Sequence, residues 1–342
     1  MRKSRLLSRI FYYSGMAALS QGFSRLGPRP LNVLAYHRIL PTWDEQYPGD
    51  LELVSASLED FRWQMKFVKK HFDPITLDEL LKAVGDESRL PERPVMITFD
   101  DGFQDNFRYA LPVLKEFDLS AVFFVSTGLI GGSTPFWFNW ICSALLATSA
   151  TDISSRILGE PVPIPQDQDG RRSLAGEILK TLKRIPNDGR LKAIEQLTEE
   201  LNVPIQVEDS DDMPMTWAQL TEIVKAGSYV ESHAHDHAIL SMMSPEEIRS
   251  EIETSKAEIE RNLNRPCRAI SYPVGGPGAI NEHVLHSVRE AGLKVGFTYV
   301  SGTNKRNISE PLMLRRTHVE RYIDRAEFAT RMLMQHRIFV QQ

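Results

Sequence analysis

Cysteine is nearly absent: Cys142 and Cys267 are the only two in 342 residues. They can pair, but no disulfide framework is available, so the fold must rest on its core. A cationic excess is missing too. The formal net charge is −5 and the isoelectric point lies near 6.0, which argues against a nucleic-acid binder that relies on a basic face. No internal repeat or low-complexity run occurs, which excludes a repeat solenoid. No Gly-x-Gly-x-x-Gly turn is present either, which weakens a nucleotide-binding sheet.

A long apolar run is also lacking at the N-terminus. Arg2, Lys3 and Arg5 precede Leu6 and Leu7, and Arg9 then interrupts the apolar stretch, so no clear cleavable signal peptide is recognised. The stretch is too short and polar to span a bilayer. Leu6, Ile10, Tyr13 and Ala17 recur at helical spacing, and residues 1–30 are expected to form a basic amphipathic segment. Such a helix packs on the outside of the domain or makes a peripheral contact with an anionic membrane surface. A cytoplasmic or membrane-peripheral location is the matching expectation.

What the chain does contain is an ordinary globular composition, 42% hydrophobic and 25% charged, with material for a sizeable core. Its length suits one barrel carrying an insertion. The most informative stretch is Val95-Met96-Ile97-Thr98-Phe99-Asp100-Asp101-Gly102. Val95 to Phe99 read as a buried strand. Two carboxylates follow at its end, where they repel unless a cation or a shared proton relieves them. A bare Asp-Asp-Gly is an ordinary turn sequence. This one is lifted by Ser232-His233-Ala234-His235-Asp236-His237 downstream, which follows another probable strand. Together the stretches offer a hard oxygen ligand and two imidazoles, a donor set suited to a catalytic divalent metal.

Thr98-Phe99-Asp100-Asp101-Gly102, with His233 and His237 four apart after Glu231-Ser232, resembles the polysaccharide deacetylase family (the NodB-homology, carbohydrate esterase family 4 enzymes). The resemblance covers roughly residues 31–130 and 213–320. It implies a distorted (β/α)7-type, TIM-like barrel from residue 31 to 342, interrupted by a mostly helical insertion at about 131–213. It implies Asp100 as general base and Asp101, His233 and His237 as ligands of one divalent ion, zinc first, with cobalt, nickel or iron as alternatives. On this spacing His235 is not a ligand. The implied reaction removes N-acetyl groups from a polysaccharide of exopolysaccharide or cell-envelope metabolism. Glycan O-deacetylation and a non-catalytic glycan-binding barrel are the rival readings.

Tyr272-Pro273-Val274-Gly275 resembles the family's third motif, which implies that the Val274 N–H faces the oxyanion. Two departures stand out. Many relatives carry an arginine that orients the base, and Ser271 occupies that place here, with Arg268 three residues upstream. The late acid-bearing motif is Leu-x-His in many relatives, whereas this chain reads Leu314-Arg315-Arg316-Thr317-His318. His37 and His318 are therefore both candidates for the acid, with His37 preferred because it closes the first expected strand, Leu31 to His37.

Elsewhere, residues 38–56 read as a loop, Ser57 caps a helix bearing Phe61, Met65 and Val68, and Ile75-Thr76-Leu77 reads as a short strand. A helix is expected over residues 106–117, and a strand over 121–125. Within the insertion, Ile157 to Pro165 reads as a hairpin and residues 172–202 as helices. The aromatic run Pro135 to Trp140 is expected to anchor the insertion to the core rather than to stack on sugars. Thr216 and Ser244 begin capping-box helices. Repeated β-α alternation then favours a parallel barrel, which places His37, Asp100, Asp101, His233, His237 and Val274 together at the strand carboxyl ends.

Overall fold

The computed structural model describes residues 28–86, 88–133, 135–154, 159–204 and 210–338. The amphipathic helix expected near the N-terminus lies outside them. Seven strands form the centre: β1 (Asn32–Tyr36), β2 (Pro94–Phe99), β3 (Val122–Val125), β4 (Tyr229–Ser232), β5 (Ala269–Ser271), β6 (Val295–Ser301) and β7 (Leu314–His318). Each pairs in parallel with the next, and β1 pairs with both β2 and β7, so the sheet closes on itself. This is the closed, distorted α/β barrel that the strand pattern and the resemblance imply. The distortion has two sources. β4 and β5 meet through the single register pair Ile270 and Ser232, and the β6–β7 register shifts between Phe297 and Ser301.

Every residue of β2 is buried, as expected of a strand with a packed barrel interior on one face and helices on the other. The surrounding helices begin at side-chain caps. α1 (Leu58–His71) starts at Ser57, whose hydroxyl accepts the Asp60 N–H, and it buries Phe61, Met65 and Val68. α2 (Leu77–Val84) starts at a full capping box of Thr76 and Glu79. That box overrides the strand expected over residues 75–77; the strand pairing with β2 is instead Asp73–Pro74. Residues 38–56 are not wholly loop either, because Arg38–Leu40 pairs in parallel with Val54–Ser57.

After β2 the chain makes a π-helical turn, Asn106–Ala110, closed by the Leu111 N–H donating to Asn106 O, and continues as α3 (Leu111–Glu116). Pro112 has no N–H, which makes the wider turn cheap at this point. The insertion carries α4 (Trp137–Ala147), α5 (Gln168–Leu182) and α6 (Asn187–Leu201). Its hairpin is shorter than expected and starts earlier, pairing Asp152–Ile153 with Val162–Pro163.

Phe136, Phe138 and Trp140 pack with Leu174, Ile178 and Leu197 in a core of the insertion's own, which Phe103 joins from the barrel. The aromatic run therefore anchors the insertion. α7 (Trp217–Lys225) and α8 (Pro245–Leu263) both open on capping boxes, at Thr216 and Ser244, and α9 (Glu282–Glu290) opens at Asn281. α10 (Arg325–Ile338) follows β7. Cys142 and Cys267 are buried, free thiols and do not pair. Among the described residues, no helix is long and apolar enough to cross a membrane.

Candidate active site and metal centre

The strand carboxyl ends open into a cavity of about 350 Å3 lined by His37, Asp100, Asp101, His233, His237, Val274 and Arg316, among others. At the end of β2, the Asp100 N–H donates to Tyr36 O and the Gly102 N–H donates back to Asp100 O at 3.0 Å. Asp101, at the centre of that turn, has φ +74°. An i-to-i+2 hydrogen bond around a left-handed residue is the rarer and more strained kind of γ-turn. The reversal turns both carboxylates into the cavity, where Asp100 and Asp101 are 2% and 1% exposed. Gly102 has φ +98°, and a Cβ there would lie 3.1 Å from Val125 Cγ1. The chain leaving the insertion holds this turn from outside, with the Met215 N–H donating to Gly102 O at 2.8 Å.

The histidine loop leaves β4 with Ala234 at φ +60° and His237 at φ +52°. Glu251 on α8 accepts the N–H groups of His235 and Asp236 at 2.9 and 3.0 Å. Gly128 lets the loop sit close to β3, since a Cβ there would come 2.5 Å from Asp236 Oδ1. His233 and His237 turn inward and His235 turns aside to Thr127 Oγ1, 2.9 Å away, as the expected spacing requires.

Asp101 Oδ1 lies 3.3 Å from His233 Nε2 and 3.2 Å from His237 Nε2. Donors about 2.0–2.2 Å from one tetrahedral ion are separated by about this much. His233 Nδ1 is 2.7 Å from Ser271 O, so that nitrogen carries the proton and Nε2 presents its lone pair to the cavity. Asp101 Oδ2 is buried without a hydrogen-bond partner. Among the described residues, these three side chains form the group that can hold a metal ion. Burial pushes the Asp101 carboxyl up, but the two imidazoles that close on it at 3.3 and 3.2 Å outweigh that and hold it well below its ordinary range. The residues fit a divalent cation.

Asp100 is gripped from β7. Arg316 is fully buried, its Nη1 and Nη2 donate to Asp100 Oδ1 and Oδ2 at 2.8 and 2.7 Å, and its Nε donates to Thr298 O. Ser271 Oγ reaches Asp100 Oδ2 at 3.3 Å. Burial pushes this carboxyl up, and the Arg316 guanidinium, followed by His233, brings it below the usual range. Asp100 is ionised at neutral pH. The arginine missing beside Ser271 thus comes from another strand, while Arg268 pairs with Asp78 at 2.6 Å. Arg316 was legible as one member of a strand whose alternate residues face inward; without the register, nothing distinguished it from Arg315, which is exposed.

His37 follows β1 and brings Nε2 to 3.9 Å from Asp100 Oδ2. Its backbone is tied on both sides: its N–H donates to Ser55 Oγ and its carbonyl accepts from Asn106 Nδ2. His318 stands apart from the cavity wall. Its ring stacks on Tyr299 at 3.6 Å and 7°, and burial, reinforced by Arg316 and His37, lowers its pKa to about 3.

Val274 repeats the geometry of Asp101. The Gly275 N–H donates to Pro273 O at 2.7 Å around a β-branched residue at φ +64°. This conformation is an outlier for valine. It leaves the Val274 N–H without an acceptor among the described residues and its side chain 38% exposed on the cavity wall.

A family model described as polysaccharide deacetylase matches residues 87–164 and 168–296. YxkH of Bacillus subtilis (strain 168), provisionally named a polysaccharide deacetylase, is 22% identical over 281 residues, or 82% of this chain and 68% of that protein. The poly-beta-1,6-N-acetyl-D-glucosamine N-deacetylase of Staphylococcus epidermidis is 32% identical over 109 residues; the match spans 30% of this chain and 37% of that enzyme. Among solved structures, the Streptococcus pyogenes deacetylase PplD in complex with acetate aligns with a TM-score of 0.59 at 19% identity, over 89% of this chain and 99% of that one. IcaB from Ammonifex degensii aligns at 0.59 and 17% identity, over 90% and 98%. At these identities the structural likeness establishes the fold.

Proposed function

The chain belongs to the polysaccharide deacetylase family, and from that premise we propose that it hydrolyses N-acetyl groups of a glycan with one divalent metal ion, zinc first. The observation that carries the reading is the cavity in which Asp101, His233 and His237 converge beside an ionised, arginine-held Asp100. Asp101, His233 and His237 hold the ion. When bound, it supplies Lewis acidity towards the acetyl carbonyl and lowers the pKa of water.

The remaining work falls to the protein. Asp100 takes the proton of the attacking water, its carboxylate aimed by Arg316 and Ser271. The Val274 N–H donates to the oxyanion that develops on the acetyl carbonyl, a contribution on the order of 3 kcal/mol for one such donor. His37, 3.9 Å from Asp100, protonates the departing amine. His318 does not, because an imidazole with a pKa of about 3 carries no acid proton near neutral pH. The missing arginine and the displaced acid motif argue for a degenerate, glycan-binding barrel; the Arg316–Asp100 pair weakens the first of these and leaves the second.

The test is acetate release from N-acetylglucosamine oligomers and from O-acetylated glycans, with and without chelator, alongside Asp100→Asn. Chelator-sensitive release from the N-acetyl substrate that Asp100→Asn abolishes supports the reading. Release from O-acetyl esters alone transfers the same chemistry to an O-deacetylase. No release and no bound metal leaves a glycan-binding barrel.

A further inference from the structure

A second cavity adjoins the first. It has a volume of about 560 Å3 and shares two wall residues with the catalytic cavity, Val274 and Lys183, which falls within the range of about 300–1,000 Å3 typical of ligand sites. Three segments form it: the chain after the histidine loop (Ile239, Ser241, Met242), the chain after β5 (Gly276 to Ala279 and Asn281), and the end of α5 (Lys183 and Arg184). Its floor is rigid, because Ser241 Oγ donates to Gly278 O at 2.7 Å and Asn281 Nδ2 donates to Ser241 O. It is also open: a Cβ at Gly276 or Gly278 would meet nothing within 4 Å.

The two cavities share Lys183 but differ in their acids. Asp50, Glu52 and Glu320 line the catalytic cavity, whereas no carboxylate is among the described residues lining the groove. Two of these acids have partners of their own, Glu52 with Arg321 at 3.2 Å and Glu320 with the Tyr322 hydroxyl. Lys183 and Arg184 form no ion pair among the described residues; the field of Lys183 reaches Asp50 without a salt bridge being made. Two cations on the wall of an acid-free groove that opens onto the reacting centre suit an anionic ligand.

We infer that this groove holds the sugar unit next to the one being deacetylated, and that Lys183 and Arg184 select an anionic substituent on that unit, such as a uronate carboxylate. The inference rests on the deacetylase reading and deepens it. The insertion then contributes to specificity, because Lys183 and Arg184 belong to it and lie beside Val274.

The experiment compares kcat/KM for acetate release by the metal-loaded enzyme on two tetrasaccharides, one of N-acetylglucosamine alone and one alternating N-acetylglucosamine with glucuronate. Wild type is expected to prefer the anionic substrate by about tenfold at low salt, less so at high salt. The preference should vanish in the double variant Lys183→Gln/Arg184→Gln and invert in Lys183→Glu/Arg184→Glu. A preference that survives removal of both charges, or a wild-type preference for the neutral oligomer, overturns the inference.

If neither substrate releases acetate, the same oligomers are titrated calorimetrically against metal-loaded Asp100→Asn protein. Tighter binding of the anionic oligomer that is lost with the two cations supports the groove although the catalytic reading has failed. Equal affinities overturn it.

Discussion

Arg316 holds Asp100 as a two-pronged pair, one guanidinium nitrogen to each carboxylate oxygen, across 216 positions of sequence. The pair is fully desolvated, so it fixes both the charge and the direction of the proposed base. A point charge in place of the fork cannot do the same.

Arg316→Lys should therefore lower kcat by about 100-fold, the scale of effect that a displacement near 1 Å produces, while metal content stays at that of wild type. Steady-state kinetics with metal analysis decides it. Undiminished kcat in this variant would show that the fork does not aim the base.

His237→Gln removes one of the three candidate metal donors, the imidazole 3.2 Å from Asp101 Oδ1. The purified variant should lose its metal to a chelator at concentrations that leave wild type loaded, with affinity reduced by 10-fold or more, since even outer-sphere changes cost 10–100-fold. Competition with a chromogenic chelator measures this. His235→Gln is the control, because His235 faces Thr127 and not the cavity; equal loss in both variants would contradict the ligand set.

Val274→Gly retains the N–H and relieves a β-branched residue at φ +64°. Stability should rise, offset in part by the greater entropy of a glycine in the unfolded chain, for a net gain of about 1 kcal/mol. Urea unfolding of the two proteins tests it. A loss of stability would mean that the γ-turn is not a store of strain.

His318 gives a pH signature. Its pKa is about 3 in the folded chain against an ordinary value near 6.5, so the folded state disfavours its protonation. The stability associated with a neutral imidazole is fully present above pH 6.5 and drains away as the pH falls towards 3. His318→Phe, which can keep the stack on Tyr299, should lose less stability than wild type between pH 7 and pH 4. Parallel acid arms in urea midpoints across that range would refute the assignment.

Much of the barrel was legible because the physics that forms it is local. Unbroken apolar runs such as Val95 to Phe99 mark buried strands, and the Thr216 and Ser244 capping boxes mark helix starts. The strand ends offered an aspartate pair and a histidine cluster, and the resemblance to the family's spacing then singled out Asp101, His233 and His237, the three that come together as a possible metal site. The strand expected over residues 75–77 failed for a local reason as well: the Thr76–Glu79 capping box outweighed the β propensity of Ile75.

Arg316 was hidden for a different reason. Its role depends on strand register across the closure of the barrel, and two adjacent arginines look alike until one is known to point inward. The left-handed turn at Val274 was equally invisible, since a β-branched residue disfavours φ above zero and only tertiary packing imposes it; at Asp101 the Asp-Asp-Gly sequence already allowed a turn.

Closure of the sheet between β1 and β7 also sets when the site can exist. His37 sits near one end of the described residues and Arg316 near the other, and the β1–β7 pairing at Leu34 and Thr317 brings them together. A chain that stops between His237 and Arg316 has the paired aspartates and both ligand histidines but no fork to aim Asp100. On the proposed mechanism such a chain would carry the base without the residue that aims it, so full activity would wait for the β7 strand.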